Sequence, residues 1–247
     1  MAYSPVTDFG LQVSRGSISG WIGVEKFGRN ADVDAAEDIW GNGGDWVAPT
    51  AARVHSIVSS SANDTSAGTG ARTVTVNGLD GSYVDTTETV TMNGVTPVNT
   101  ANSYVIIHRM VVATAGTGLT NAGTITATAA TDATISCTIQ VGFGQSQFCI
   151  YQIPANYTGY LFAWRTSFQN SVANSSADVC LFTKPDGGAW NLKSSVGLSS
   201  SGSSAFTKNY TFPLSLAAKT TVKVRCVAVA NANADIQAGF SILLIPV

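Results

Sequence analysis

The sequence contains few charged residues. Only 11% of its 247 residues are Asp, Glu, Lys or Arg, whereas about a quarter of a typical soluble domain is charged. The 13 basic and 15 acidic residues give a formal net charge of −2, and there is no run of Lys or Arg. The protein therefore lacks the basic surface that would attract the phosphates of a nucleic acid. The protein surface must consist largely of Ser, Thr, Asn and Gly, or be covered by neighbouring subunits.

Long apolar runs and a secretory leader are also missing. No stretch approaches the roughly 20 apolar residues of a membrane-spanning helix, and residues 1–5 lack the basic flank and apolar run of a signal peptide. We therefore expect the chain to be made and folded in a reducing cytoplasm. The cysteines are too few and too widely spaced for a disulfide framework, and we predict buried free thiols at Cys137, Cys149, Cys180 and Cys226.

Histidine is scarce, which restricts the possible catalytic chemistry. His55 and His108 are the only two, and both lie in strand-like sequence. Nucleophilic catalysis needs a nucleophile, a base and a group that orients the base, and the sequence contains no Gly-x-Ser-x-Gly turn. The acidic residues of the body are sparse and mostly lie at predicted turns, so a glycosidase with paired carboxylates ranks last. The sequence predicts no catalytic residues and no cofactor.

Residues 1–48 differ from the rest because they are rich in glycine and show little strand alternation. A short helix is predicted from about Val33 to Trp40, with Asp32 as its N-cap and the following glycines as its end. Isolated aromatic residues predict that the segment is an extended arm lying across its own domain or a neighbour. Disorder is the alternative, but three tryptophans oppose it. The predicted anchors of the arm are Trp21, Phe27, Trp40 and Trp46.

The densest acidic cluster also lies in the predicted arm and comprises Asp32, Asp34, Glu37, Asp38 and Asp45. Carboxylate oxygens suit calcium. However, Ala36 and Glu37 occupy the fifth position and the glycine position of an EF-hand loop, so that motif is excluded. We predict helix capping and an exposed acidic surface without a metal site. A cation bound at a subunit contact is the alternative.

From residue 49 onward, polar and apolar residues alternate with a period of two. Thr73–Val76 and Thr89–Met92 show this pattern, and each precedes an Asn-Gly pair that favours a tight hairpin turn. Segments rich in Thr, Val and Ile recur to the C-terminus without a convincing helical period. The sequence therefore predicts an all-β fold. Residues 49–247 are predicted to form an antiparallel β-sandwich or jelly-roll-like body, with a possible subdivision near residue 130.

Three segments of this body give more specific expectations. Ser103–Thr114 is apolar on both faces and predicts one central strand. Ile153–Gly159, which contains Pro154, is predicted to link two sheets. Alternation places Tyr160, Phe162 and Trp164 on one strand face, which favours core packing.

Tyrosines offer a second kind of site. Tyr157 and Tyr210 each lie in an Asn-Tyr-Thr sequence and are predicted to be exposed. An exposed aromatic ring can stack on a sugar ring because one face of the sugar ring is apolar. These two residues are therefore the candidates for glycan binding.

Seven stretches of the sequence look familiar as a set. They are Lys26–Asn30, Glu37–Trp40, Gly44–Trp46, Ser59–Thr65, Gly68–Val74, Asn121–Ile125 and Ile153–Leu161. Together they resemble a group of virion structural proteins of tailed bacteriophages, particularly marine ones. The likeness covers most of the chain, from about residue 20 to the C-terminus, and it supplies no catalytic residues.

The resemblance implies a structural subunit of a phage virion, such as a capsid decoration or cement-type protein that is made in the host cytoplasm. Such a protein would act by assembling with other virion proteins, for example a major capsid or tail protein, and with further copies of itself. Neither nucleic acid nor membrane is an expected partner. The alternative is a tail-associated or receptor-binding module in which exposed tyrosines stack on host glycans.

Overall fold

The computed structural model describes residues 8–247, which form one short helix and sixteen strands paired antiparallel. The all-β prediction is confirmed. No helix within this part of the chain is long and apolar enough to cross a membrane. The elements are α1 (Phe9–Ser14), β1 (Ile22–Val33), β2 (Glu37–Asp38), β3 (Arg53–Ser59), β4 (Ala71–Leu79), β5 (Asp85–Thr91), β6 (Val98–Tyr104), β7 (Ile106–Ala115), β8 (Ile125–Ala129), β9 (Ile135–Ile139), β10 (Ile150–Gln152), β11 (Tyr157–Gln169), β12 (Ser176–Lys184), β13 (Asn191–Ser199), β14 (Ala205–Leu216), β15 (Thr221–Val229) and β16 (Ala234–Pro246).

The first strand and the last seven strands form an eight-stranded jelly roll. One sheet has the order β1-β16-β11-β14, and the facing sheet has the order β10-β15-β12-β13, with β2 also paired to β15. Numbered along the chain, the eight strands follow the orders 1-8-3-6 and 2-7-4-5, which is the jelly-roll arrangement. Side chains from both sheets meet in one core, where Leu161, Trp164 and Phe240 are fully buried. The sandwich prediction is therefore confirmed.

The chain between β2 and β10 forms a second sandwich, here called the insertion (residues 53–139). Its two sheets have the orders β6-β3-β8-β9 and β5-β4-β7. It has its own core, which includes Ile57, Val74 and Met110. The subdivision predicted near residue 130 therefore lies between β9 and β10. It is also discontinuous, because β1 and β2 belong with the C-terminal strands.

The prediction of an extended arm is wrong over residues 22–46, which belong to the jelly roll. β1 pairs with β16 from Ile22 opposite Leu244 to Val33 opposite Ala234, and β2 pairs with β15. The body therefore includes residues that the predicted boundary at residue 49 excluded. Residues 1–7 of the predicted arm lie outside the described part of the chain.

The helix predicted between Val33 and Trp40 is also wrong, because the chain turns there from β1 into β2. The carboxylate of Glu37 accepts a hydrogen bond from the backbone N–H of Gly44 at 2.8 Å, so the acidic residue supports a turn. Gly28 is needed where β1 passes close to the backbone that follows β2 and precedes β10. A Cβ at this position would lie 2.5 Å from the backbone nitrogen of Cys149. Gly28 therefore marks close packing, whereas Gly43 and Gly44, at φ +71° and +68°, belong to the turn.

The two Asn-Gly pairs have different roles. Asn93-Gly94 forms a turn after β5, with Gly94 at φ +61°, although the strands that it joins lie in different sheets. Asn77-Gly78 lies inside β4 at a shift in its register with β7, so the hairpin turn predicted there is wrong. A Cβ at Gly78 would lie 2.2 Å from the carbonyl oxygen of Ile106. The glycine permits this close approach between strands.

Two predictions about strand connections have different outcomes. The single strand predicted over Ser103–Thr114 is two strands, since the chain leaves one sheet after Tyr104 and enters the facing sheet at Ile106. The link predicted at Ile153–Gly159 is confirmed, because β10 and β11 lie in facing sheets of the jelly roll. Both are crossings between sheets, and only the second carries a proline that marks it.

Candidate assembly surfaces

Two of the predicted arm anchors lie at the junction between the jelly roll and the insertion. Trp40 and Trp46 pack edge-to-face on Phe148, with ring centroids 6.0 and 5.7 Å apart, and are 2% and 8% exposed. Their indole N–H groups donate to the carbonyl oxygens of Gly44 at 3.0 Å and Ser136 at 3.1 Å. Their prediction as anchors in a neighbouring subunit is wrong, because both side chains are buried within their own chain.

The other two predicted anchors are partly exposed. Trp21 packs on Phe9 of α1, with ring centroids 5.8 Å apart. Phe27 lines a groove of about 300 Å³, and the guanidinium carbon of Arg109 lies 5.7 Å from its ring centroid. Both aromatic rings thus contact their own chain on one side. Their role as anchors stays a prediction.

A buried carboxylate attaches β2 to the jelly roll. Asp38 is fully buried and forms ion pairs with Nζ of Lys223 at 2.7 Å and with Nη1 of Arg225 at 3.4 Å. It also accepts a hydrogen bond from the backbone N–H of Trp46 at 2.9 Å. Arg225 additionally pairs with the exposed carboxylate of Asp45. These contacts fix the segment that carries both junction tryptophans.

The remaining acidic residues of the predicted cluster line a hollow of about 530 Å³ beside the end of β1. Asp32 and Asp34 are exposed, and Glu37 accepts a hydrogen bond from the side-chain amide of Asn30 at 2.8 Å. None of the three carboxylates forms an ion pair with a described residue. Within residues 8–247, no group of side chains could hold a metal ion. We call this concave surface the acidic hollow.

A second buried carboxylate holds loops of the insertion together. Asp64 accepts hydrogen bonds from the hydroxyl of Ser59 at 2.6 Å and from the backbone N–H groups of Ala71, Ala122 and Gly123 at 2.6, 2.8 and 2.9 Å. These donors come from three of the stretches that carry the sequence resemblance, namely Ser59–Thr65, Gly68–Val74 and Asn121–Ile125. These stretches are thus determinants of folding in the insertion.

A buried lysine joins β1 to the insertion. Lys26 is 5% exposed, and its Nζ donates to the carbonyl oxygen of His108 at 2.6 Å. No carboxylate of the described residues lies within ion-pair distance of Lys26. Burial lowers the pKa of the Lys26 ammonium to about 8. The buried His108 ring packs against Tyr151 at a tilt of 48°, with centroids 4.4 Å apart, and burial lowers the pKa of His108 well below its usual value.

The change Lys26→Met tests this unpaired charge. Because the pKa of Lys26 in the folded protein is below its ordinary value of 10.5, the folded state releases the proton first. The Lys26 contribution to stability therefore improves as the pH rises from about 8 towards 10.5. We expect the free energy of unfolding of the wild type to increase relative to that of Lys26→Met by about 1.4 kcal/mol per pH unit in this range. Urea unfolding of both proteins at pH values above and below 8 measures the gain.

The matched control for this experiment is Lys193→Met, since Lys193 is exposed. This exposed change should alter the free energy of unfolding by no more than about 0.5 kcal/mol. A difference between Lys26→Met and the wild type that stays constant from about pH 8 to about pH 10 would contradict the buried, unpaired lysine.

The cysteines are all free and buried, as predicted. Burial raises the pKa of the Cys149 thiol to about 12 and that of Cys226 to about 11. Because the thiolate is the nucleophilic form, these cysteines pack as small apolar groups at neutral pH. The other histidine, His55, is also buried and bonds through Nε2 to the hydroxyl of Ser136 at 2.8 Å.

The tyrosines predicted to bind glycans are only partly exposed. Tyr157 and Tyr210 both pack against the jelly-roll core, and Nζ of Lys208 lies 5.0 Å from the ring centroid of Tyr210. Less of each ring is therefore available for stacking than the sequence indicated. Glycan binding by these residues stays a prediction.

The jelly roll has an open edge at β13 and β14. Each is the last strand of its sheet, so each pairs with a neighbour on one side only. Three large apolar side chains are exposed on or beside these two strands, at the end away from the turn that joins them. We call these residues the edge patch; they are Trp190 (38% exposed), Leu192 (55%) and Phe212 (86%).

The exposure of Phe212 follows from a large bulge. Leu161 lies opposite Leu214 and Ala163 lies opposite Asn209, so residues 210–213 of β14 face the single residue 162 of β11. The extra residues leave the regular pairing and place Phe212 in solvent. β11 has a bulge of its own against β16, because Leu161 lies opposite Ile242 and Ala163 opposite Ser241. Phe162 is the extra residue, which explains why it is exposed although Trp164 is buried.

Sequence reasoning missed the edge patch, although one signal was present. Pro213 follows Phe212 within a strand-like run, and proline inside a strand indicates an edge or a bulge. Proteins usually protect exposed sheet edges, and exposed apolar groups on such an edge are typical of interaction sites. The edge patch is therefore the candidate assembly surface of the jelly roll.

No family model matches the sequence, and no characterised protein matches it either. Among solved structures, T=1 particles derived from infectious bursal virus share 11% identity over 92% of this chain and 70% of theirs, with a TM-score of 0.26. A VP2 subviral particle of infectious bursal disease virus shares 11% identity over 91% and 72% of the two chains, with a TM-score of 0.24. Similarities of this strength carry no weight, so the jelly-roll assignment depends on the strand order alone.

Proposed function

We propose that the protein is a structural subunit of a phage virion, most simply a capsid decoration or cement-type protein that acts through protein–protein assembly. The edge patch is the observation that supports this proposal most directly. Phe212 is 86% exposed on an unpaired strand, and a partner that covers it would bury a large aromatic side chain. Aromatic residues commonly supply most of the binding energy of an interface.

Two further properties favour this function. The jelly roll is the architecture of many capsid subunits, although lectins and cupins share it, so the fold alone is an analogy. The low charge of the chain fits a surface that neighbouring subunits cover. The proposal includes no catalytic role, no cofactor and no nucleic-acid or membrane partner.

The alternative is a tail-associated or receptor-binding module that binds glycans. A specific observation favours it, namely a groove of about 400 Å³ on the outer face of β12 and β15, which is lined by Phe182 and Trp190. Nζ of Lys223 lies 4.5 Å from the centroid of the Trp190 ring. An aromatic ring beside polar groups is suited to a sugar. Trp190 would then replace the predicted Tyr157 and Tyr210 as the stacking residue.

The double variant Leu192→Ser, Phe212→Ser tests the assembly function. We expect it to fold normally, since both side chains are exposed, and to be incorporated into particles at least about tenfold less than the wild type, because the loss of two buried apolar side chains weakens an interface by more than 1.4 kcal/mol. Tagged proteins would be supplied during infection, and their amount in gradient-purified particles would be measured by mass spectrometry.

The control is Val95→Ser, Leu119→Ser, which changes side chains of matching exposure, 59% and 86%, in the insertion. This control should be incorporated like the wild type. Equal incorporation of both double variants would oppose the edge patch as an assembly surface. Incorporation of the wild type that does not depend on the edge patch, together with saturable glycan binding that Trp190→Ala abolishes, would favour the alternative function.

A further inference from the structure

We infer that copies of this chain bind head to tail, with the edge patch of one copy seated against the acidic hollow of the next. This inference deepens the proposed function and rests on it for the use of the edge patch. It adds the identity of the partner, which is a second copy of the chain, and the surface on that partner.

The edge patch is surrounded by positive charge. Lys184 ends β12, Lys193 lies in β13, and Lys208 lies in β14, where its Nζ is 3.4 Å from the hydroxyl of Ser194. None of these three lysines forms an ion pair within the described part of the chain. Two acids lie nearby, and both are paired: Asp186 pairs with Lys219 at 3.8 Å, and Asp45, which lines a groove with Trp190, pairs with Arg225. The open edge therefore presents apolar side chains within an unneutralised basic surround.

The acidic hollow has the complementary composition. Its carboxylates, those of Asp32, Asp34 and Glu37, are free of ion pairs, as described above. Its wall also contains Val141 and Phe143, which are 56% and 48% exposed, and Arg29, whose charge is paired with Asp235 at 2.6 Å. The concave surface thus offers apolar contacts for an aromatic side chain and negative charge for the lysines around it.

The two surfaces lie on opposite sides of the jelly roll. The hollow adjoins the end of β1, the edge patch includes β14, and these are the two outer strands of one four-stranded sheet. Strands in a sheet are about 4.8 Å apart, so the two edges are separated by about 14 Å. Because the surfaces do not overlap, one copy can use both at once. Such a contact is heterologous and produces a ring if its rotation closes.

The charges also disfavour the simplest alternative, a two-fold contact of edge patch with edge patch. That arrangement would bring Lys184, Lys193 and Lys208 of both copies together, while the nearby carboxylates of Asp186 and Asp45 are already paired within each copy. Like charges facing each other oppose association. Association with the acidic hollow removes this repulsion, and it should weaken as salt screens the attraction.

Two charge-reversed proteins test the inference. The first is Lys184→Glu, Lys193→Glu, which makes the edge acidic, and the second is Asp32→Lys, Asp34→Lys, which makes the hollow basic. We expect the wild type to self-associate in sedimentation velocity at low salt, and each reversed protein alone to associate at least about tenfold more weakly. An equimolar mixture should regain association, because each reversed surface then meets its complement on the other protein.

Controls of equal chemistry are Arg15→Glu and Asp85→Lys, which reverse charges away from both surfaces and should associate like the wild type. A wild type that stays monomeric at every concentration, reversed proteins that associate normally, or a mixture that stays dissociated would each overturn the inference. The proposed function is tested separately, by measuring the incorporation of the wild type into particles. A monomer that enters particles would retain that function and refute the head-to-tail contact.

Discussion

The change Asp38→Ala is expected to lower the free energy of unfolding by about 3–5 kcal/mol, because it leaves a buried cation without its partner. The side chain of Lys223 is 9% exposed and lies 2.7 Å from the Asp38 carboxylate. Arg225 and the backbone N–H of Trp46 lose an acceptor at the same time. No other carboxylate pairs with Lys223 among the described residues.

Two measurements report this loss of stability. Urea unfolding detected by tryptophan fluorescence gives its size, since Trp40 and Trp46 lie at the junction. Limited proteolysis shows which part of the chain is destabilised, because we expect early cleavage between β2 and β3 if β2 detaches from β15.

The matched control is Asp45→Ala. Asp45 pairs with the same Arg225, but its side chain is 62% exposed, and exposed ion pairs contribute about 0–1 kcal/mol. If both alanine variants lose the same small amount of stability, then Asp38 does not hold β2 in place.

The change Asp64→Asn is expected to destabilise the insertion by about 3 kcal/mol. The carboxylate accepts four hydrogen bonds, whereas an amide has one oxygen and turns its NH2 group towards donors. A buried donor that loses its acceptor costs about 1–3 kcal/mol, and at least two donors lose theirs. The insertion contains no tryptophan, so far-UV circular dichroism or hydrogen exchange must report its unfolding.

Asp80→Asn is the control for this change. Asp80 also accepts two backbone hydrogen bonds, from Ser82 at 2.8 Å and Val84 at 3.0 Å, but it does so in an exposed turn. Water can replace those bonds, so we expect a loss of about 1 kcal/mol. Hydrogen exchange that is unchanged by Asp64→Asn in residues 59–71 and 121–123 would contradict the role of Asp64.

Much of the fold could be predicted because strand formation is visible locally. Alternating Thr, Val and Ile residues marked the strands of the insertion and of the jelly roll after β9, and Pro154 marked a crossing between sheets. β1 was missed because its partner, β16, follows it by about 200 residues of chain. Its glycines suggested a loose segment, whereas Gly28 is required for close packing against Cys149.

The functional residues were harder to predict because exposure depends on strand order. Trp40 and Trp46 are spaced like anchors in a glycine-rich segment, yet Phe148 and the insertion cover them. Phe212 lies in a run that reads as an ordinary strand, and it is exposed only because β14 is an outer strand with a bulge. The contacts that decide each case join distant parts of the sequence.

The pairing of β1 with β16 also has a consequence for biosynthesis. All strands of the insertion are contiguous in the chain, so this unit can fold while the ribosome is still translating the strands that follow. The jelly roll cannot close until β16 has emerged, because β16 lies between β1 and β11. A nascent chain therefore carries a folded insertion and an open second sandwich. The edge patch and the acidic hollow reach their final positions only after the last strand is in place, so the subunit association proposed above would begin only when synthesis is nearly complete.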